Sequence, residues 1–329
     1  MKRLLPMPGL DHRHHVLRER TRAANQWDPL DRRLASIGAA AFLHFLRLRS
    51  RFGQGLGLSG YQNLLRAALF SGDEAKLAWE HIRPQFNIDR LGPESVRLLP
   101  LLYRNLESIQ ADDPVLPRLR GLYRQTWYKN QILFHDMETV LRRFNATGLE
   151  ALVVRGMAIA LRYYGDFGLR PMNAFDLLIQ PPSAPEAFRL VEELGWSPID
   201  MGASMSDRCS RRFQSSRSSC RIHWSVPGVT GWDQARNPNG LWSHTQWLTA
   251  KALTVRTLSP HDELAWTCLR GTKGGWRPRL QWVADTAMIL RHQESALKLF
   301  IPQGLAATIR LEAATRFLVG TTPPTYFTR

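Results

Sequence analysis

Residues 163–180 read YYGDFGLRPMNAFDLLIQ. The first half, with Gly165, Asp166, Gly168 and Pro171, has the chemistry of a loop. The second half is an apolar run, Phe175 to Ile179, interrupted by one acid, Asp176. Positions i and i+2 of a strand share a face, so Ala174 stands beside Asp176 on the same side. A strand that presents carboxylates to metal ions needs two of them at this spacing. Here one of the two positions has no oxygen to offer.

Working outward from this strand, LEALVVRG is a β-branched run ending at Gly156, and MAIALRYY reads as a helix. Downstream, SAPEAFRLVEELG is a helix with Ser183 as N-cap, Pro185 in its first turn and Gly195 at its end. CRIHWSV alternates and reads as a third strand, with CSRRFQSSRSSC (209–220) a hairpin or exposed loop before it. Residues 149–226 therefore form a strand–helix–strand–helix–strand module of α/β class. Residues 34–148 are helical in pattern. In YQNLLRAALFSGDEAKLAWEHI the apolar stripe takes Leu64, Leu65, Ala68 and Leu69, then Leu77, Ala78 and Ile82. SVRLLPLLYRNLESI is an apolar helix or helix pair broken at Pro100, and a long amphipathic segment ends at Gly148. Residues 227–329 read as a helical C-terminal region, with Ser259 and Pro260 opening one helix and PRLQWVADTAMILRH forming another. Residues 1–33 read as a flexible basic arm.

Composition bounds the function. The chain has 329 residues, 44 basic against 28 acidic, net +16. This surplus attracts polyanions such as nucleoside triphosphates, nucleic acid or an acidic surface, without choosing among them. Three cysteines (209, 220 and 268), none in a CxxC pair, argue against a disulfide scaffold or structural zinc and give free thiols. No segment reads as a membrane span and the N-terminus lacks a secretory core, so a cytoplasmic location is expected.

The order VVRGMAIALRYYGDFGLRPMNAFDLLIQ, then IHW, then DELAWTCLRGTKGGWRPRLQWVADTAMIL resembles the bacterial nucleotidyltransferase-family proteins of the polymerase-β-like superfamily, over roughly residues 60–292. The resemblance implies a small mixed-sheet nucleotidyltransferase core flanked by helical N- and C-terminal regions. It implies transfer of a nucleoside monophosphate from an NTP to an acceptor that the sequence does not name. It also implies Mg²⁺, held by two carboxylates of one strand and a third from its neighbour. Carried over residue by residue, it makes Asp176 the surviving metal and catalytic carboxylate and Ala174 the position of an expected Asp. Arg221 occupies the third carboxylate position, and Arg155 replaces the Lys of a Lys-Gly step. Nucleotide-binding candidates are Arg155, Gly156, Arg170 and Arg221; His223 is a candidate catalytic residue, although a lone strand histidine is more often a packing residue. Arg170 is read first as a holder of Asp166 or Asp176, and Trp224 as core.

Two explanations fit Ala174, an engineered Asp→Ala knock-out and a lineage that lost its metal site; position 221 departs as well, which favours the lineage. Activity is then weak or absent, and the Arg221 guanidinium stands in for the cation by pairing with Asp176. The alternative is a non-catalytic relative that binds nucleotide or a protein partner. A third reading, RNA binding, is motivated by the net charge. It meets no evident interleaved basic–aromatic run, and Arg208, Arg211, Arg212 and Arg217 with Arg270, Lys273, Arg277 and Arg279 are left as a basic rim.

Overall fold

The structure, a computed structural model, describes residues 56, 58–199, 209–226, 240–250, 253–271 and 280–292. The expected basic arm, Arg208, and Lys273, Arg277 and Arg279 of the expected rim lie outside them.

The described chain opens with helices. Leu58–Leu69 (α1) and Gly72–Ile82 (α2) are separated at Gly72, whose φ of +59° suits glycine. They are followed by Pro93–Val96 (α3) and Leu99–Ser108 (α4). The break between α3 and α4 falls before Pro100, which sits in the first turn of α4 where its missing N–H costs nothing. The stripe of α2 is buried at Ala75, Ala78, Trp79 and Ile82, whereas Leu77 is 55% exposed, so its assignment to the core face is corrected. Leu116–Ala146 (α5) is a single helix of 31 residues ending before Gly148, whose φ of +73° closes it.

The α/β module then begins with Ala151–Val154 (β1), Arg155–Ile159 (α6), a π-helical turn Ala160–Tyr164, and Phe175–Ile179 (β2). Ala184–Glu193 (α7), Ser197–Pro198 (β3), Ser210–Gln214 (β4) and Ser219–His223 (β5) follow, with β4 and β5 forming the expected hairpin. Ser183 precedes α7 without a side-chain cap. Next come Gln246–Ala250 (β6), Leu253–Thr257 (β7), Pro260–Gly271 (α8) and Gln281–His292 (α9). The expectation of a wholly helical region from residue 227 is therefore corrected at 246–257. There Leu248, Leu253 and Val255 alternate with polar residues, and the hairpin adds two strands to the sheet.

The described strands form one mixed sheet in the order β3-β4-β5-β2-β1-β7-β6. β1 runs antiparallel to β2, and the pairs β2–β5 and β1–β7 are parallel. One sheet face carries Val153, Phe175, Leu177, Ile179, Cys220 and Ile222 and is packed by the second half of α5 and by α7. β1 and β2 are buried on both faces, so their alternate positions, Leu152, Val154 and Leu178, form a smaller apolar cluster on the other side. A second core joins α1, α2, α4, α8 and α9 with Leu119 of α5, so helices from both ends of the described chain pack together. The site lies between this helical body and the face of the sheet that α5 and α7 leave free, where Leu152, Val154 and Leu178 pack with Trp266.

Candidate functional site

Register decides what meets on the free face. Asp176 pairs with Arg221 across β2–β5, and Arg221 with Arg212 across β5–β4. His223, two residues beyond Arg221, falls on the same face. The neighbourhood expected from the sequence for Asp176, Arg221 and His223 is thus the one the sheet makes.

Asp176 is 7% exposed, and its partners are cationic or hydrogen-bond donors. Arg155 Nη1 donates to its Oδ1, and His223 Nε2 donates to the same atom at 2.8 Å. Burial alone would raise this carboxyl, but the charge of Arg155, the His223 contact and the charge of Arg221 outweigh it and hold the group well below the usual carboxylate range. Burial pushes His223 down to about 4, with Arg155 and Arg221 adding to it against the pull of Asp176. The imidazole is therefore neutral near pH 7 and its Nε2 carries the proton. Its ring also stands edge-on to Trp266, centroids 5.7 Å apart. One expectation changes here. The guanidinium in hydrogen-bond contact with Asp176 is that of Arg155, while Arg221 acts through its charge, because Arg155 comes off the end of β1 directly beside Asp176.

Arg155 reaches that position at a strand-to-helix switch, with φ of +59°. A non-glycine residue there costs about 1–2 kcal/mol. Gly156 follows with an ordinary φ, but it must stay small. A Cβ there would lie 2.7 Å from Arg170 Nη1 and 3.2 Å from Met172 Sδ.

Arg170 holds neither Asp166 nor Asp176, which corrects the expectation from sequence. Its Nε and Nη2 donate to the two oxygens of Asp285 at 2.8 and 2.7 Å, a bidentate pair buried between the loop and α9. Tyr164 Oη donates to the same carboxylate at 2.8 Å. Asp166 instead accepts from Arg104 Nη2 at 3.0 Å, Tyr123 Oη at 2.8 Å and the Gly168 backbone N–H at 2.8 Å, which makes it the turn residue of its loop.

These groups line a cavity of about 540 Å³ between the sheet, the loop 170–174 and helices α8 and α9. Its sheet wall carries Arg155, Asp176, Arg212 and Arg221; its helical wall carries Glu263, Trp266, Gln281, Trp282 and Asp285. Gly156, Arg170 and Ala174 line it too, so six of the seven residues singled out from the sequence surround one space; His223 is drawn in behind Asp176. Of the expected arginine rim, Arg212 lines the cavity, Arg217 is tied to Asp136 at 2.7 Å and Arg211 lies over the Phe188 ring at 4.9 Å on the opposite face. Trp224 packs on Phe188 as core. Cys209, Cys220 and Cys268 form no disulfide, and burial pushes the Cys220 thiol up and out of reach of ionisation.

Glu263 was not singled out from the sequence. It is buried, its Oε2 lies 3.3 Å from Arg162 Nη1 and its Oε1 has no hydrogen-bond partner. Burial pushes it up to about 7, against the opposing charge of Arg162. Only the position of α8 over the sheet shows that this residue of a surface-patterned PHDEL segment turns inward. Asp285 was visible in sequence as the acid of the VADTAMIL segment, but its partner was not.

Among the described residues no group of three or more His, Cys, Asp and Glu side chains is gathered as for a metal ion, and no helix is long and apolar enough to cross a membrane.

Among solved structures, the chain is similar to the antibiotic-resistance factor ANT(2'')-Ia in solution, at 15% identity, over 55% of this chain and 89% of that one, with a TM-score of 0.36. A crystal structure of ANT(2'')-Ia in complex with adenylyl-2''-tobramycin gives 15%, 55%, 94% and 0.36 for the same quantities. An antigenic nucleotidyltransferase-like protein from Paracoccidioides brasiliensis gives 12%, 57%, 92% and 0.35. All three likenesses are distant, and no curated protein matches the chain. The family described as uncharacterised nucleotidyltransferase, by contrast, matches residues 94–321, which is more than half of the chain and takes in the whole sheet, the loop and both cavity walls; the chain belongs to that nucleotidyltransferase family.

Proposed function

We propose that this chain keeps the nucleotide cavity of a nucleotidyltransferase in a form that binds a nucleoside triphosphate without a divalent cation, and that it transfers nucleoside monophosphate weakly or not at all. The observation that carries the reading is the state of Asp176. Its Oδ1 already accepts from Arg155 and His223, Arg221 lies next to it in register, and Ala174 supplies no second oxygen. This donor set does not fit a pair of Mg²⁺ ions. A hard cation needs several unshared oxygens; here a guanidinium occupies Asp176, the carboxylate of the sheet wall, Arg170 occupies both oxygens of Asp285, and the Arg221 charge would repel the metal. The same arginines suit phosphate oxygens, which guanidinium binds through two parallel N–H donors. The cavity volume of about 540 Å³ is in the range of small-molecule sites, and two tryptophans on the helical wall give a nucleobase apolar surface.

Calorimetric titration of ATP, GTP, CTP and UTP, each with Mg²⁺ and with a chelator, tests this. At least one nucleotide is expected to bind with an affinity that the chelator leaves unchanged. Binding that requires Mg²⁺ would restore the catalytic reading. No binding by any of the four would remove the nucleotide from the proposal and leave a cavity kept for another ligand.

A further inference from the structure

The stretch RLRGLYRQTWYK, residues 118–129, alternates basic and aromatic residues, and this corrects the expectation that the chain has no such run; in sequence it is hidden because the segment also has the pattern of a core helix. The structure separates its two sides. Leu119 and Thr126 are buried, whereas Trp127 is 45% and Tyr128 64% exposed, and Arg118, Arg120, Arg124 and Lys129 are all on the outside. From residue 116 to residue 135 the helix has no acid. Arg118 and Arg120 are engaged with Asp89 and Glu107, but Arg124 and Lys129 enter no ion pair among the described residues.

This patch borders the cavity's own loop. Tyr123, Trp127 and Asn130 are spaced i, i+4 and i+7 and so share one side of α5. Tyr123 holds Asp166, and Asn130 Nδ2 donates to the carbonyls of Phe167 and Arg170 at 2.6 and 2.8 Å. Trp127 therefore stands at the edge of the segment whose continuation, Arg170 to Ala174, lines the cavity.

We propose that this face of α5 docks single-stranded nucleic acid, the bases stacking on Trp127 and Tyr128 and the phosphates meeting Arg124, which lies between the two rings around the helix. Unpaired cations complement a polyanion, and exposed aromatic rings beside them suit unstacked bases, which a duplex does not offer. An anionic membrane would also meet the cations, but insertion needs a continuous apolar face, and here the two rings project among charges. The docking does not depend on what the cavity binds, so the test uses an oligonucleotide with no mononucleotide present.

The measurement is fluorescence anisotropy of a short labelled single-stranded RNA of mixed sequence with the whole chain, as salt is raised. Trp127→Ala combined with Tyr128→Ala is expected to weaken binding about tenfold or more. Arg124→Gln is expected to make the slope of log affinity against log salt shallower by about 0.7, for the one phosphate no longer neutralised. All three side chains are exposed, and circular dichroism would establish that both variants fold. Affinity unchanged in both variants would place the binding on charge elsewhere in this basic chain and overturn the proposal. So would equal affinity for a duplex, or association with phosphatidylserine vesicles but not with RNA.

Discussion

At Asp176 one carboxylate is met by Arg155, His223 and the charge of Arg221, and each partner can be removed separately. Arg155→Ala leaves the buried acid without its main counter-charge and is expected to cost about 2–3 kcal/mol in urea denaturation, less than a fully isolated buried charge because two partners remain. Arg155→Gly removes the same charge but relieves the left-handed backbone, so it should cost about 1 kcal/mol less than the alanine variant. In both, His223 should titrate at higher pH by NMR, since the cation that depresses it is gone. An unmoved histidine would mean that Arg155 does not face the pair in solution.

Two groups of the site act on stability in opposite pH windows. His223, folded near 4 against an ordinary 6.5, resists protonation in the folded state, so its contribution is lost as pH falls from about 6.5 through 4. Glu263, folded near 7 against 4.5, holds its proton in the folded state, so its contribution is lost as pH rises from about 4.5 through 7. Glu263→Gln should therefore gain stability over the parent chain on going from pH 5 to pH 8, on the order of 2 kcal/mol, read as the difference between two thermal unfolding series. Parallel series would show that Glu263 is ionised throughout. At this scale the sequence names candidate residues such as Asp176, Arg221 and Arg155, because residue type is visible in one dimension. It does not show which of two arginines reaches the acid, because that depends on the turn at Arg155.

Among the elements, β1, β2, β5 and helices α5, α7, α8 and α9 are legible in sequence, because each has either a β-branched alternation or an apolar stripe with end signals. The β6–β7 hairpin is not, since it lies at the sheet edge with Trp247 exposed and its strands bury only part of one face. Leu77 shows the converse, an apolar residue at nearly the right spacing that faces out because Trp79 takes the inward place. The loop before β2 is the element most closely fitted to its surroundings. A Cβ on Gly168 would lie 2.2 Å from the Tyr123 ring, and that ring is held by its hydroxyl on Asp166 and cannot swing away without breaking the turn. Gly168→Ala should cost about 1–3 kcal/mol by chemical denaturation. A neutral result would mean that the α5–loop contact is looser than described.

Over the whole molecule, the helical body and the sheet module are joined through the loop, and Arg170–Asp285 is the buried pair at the joint. Asp285→Leu alone strands a buried guanidinium and should cost about 3–5 kcal/mol, whereas Arg170→Met with Asp285→Leu should recover most of it. Equal losses in the single and the double variant would show that the pair is not coupled. The fold class was readable in sequence, as was the meeting of Asp176 and Arg221 on neighbouring strands; the joint was not, because its partners are 115 residues apart.

The strand-end Arg155 also bears on how such a protein could change over generations. A carboxylate regained at position 174 alone would find Arg155 and Arg221 waiting, form ion pairs with them and bind no metal. A carboxylate regained at 221 alone would face the same Arg155. Under the proposed reading each such change would be silent until the others were present, so selection for metal-dependent catalysis would have no single first step to act on. Under the function proposed above, the arginines around Asp176 would act as a ratchet, because an acid placed at 174 or 221 alone meets a guanidinium before it meets an ion.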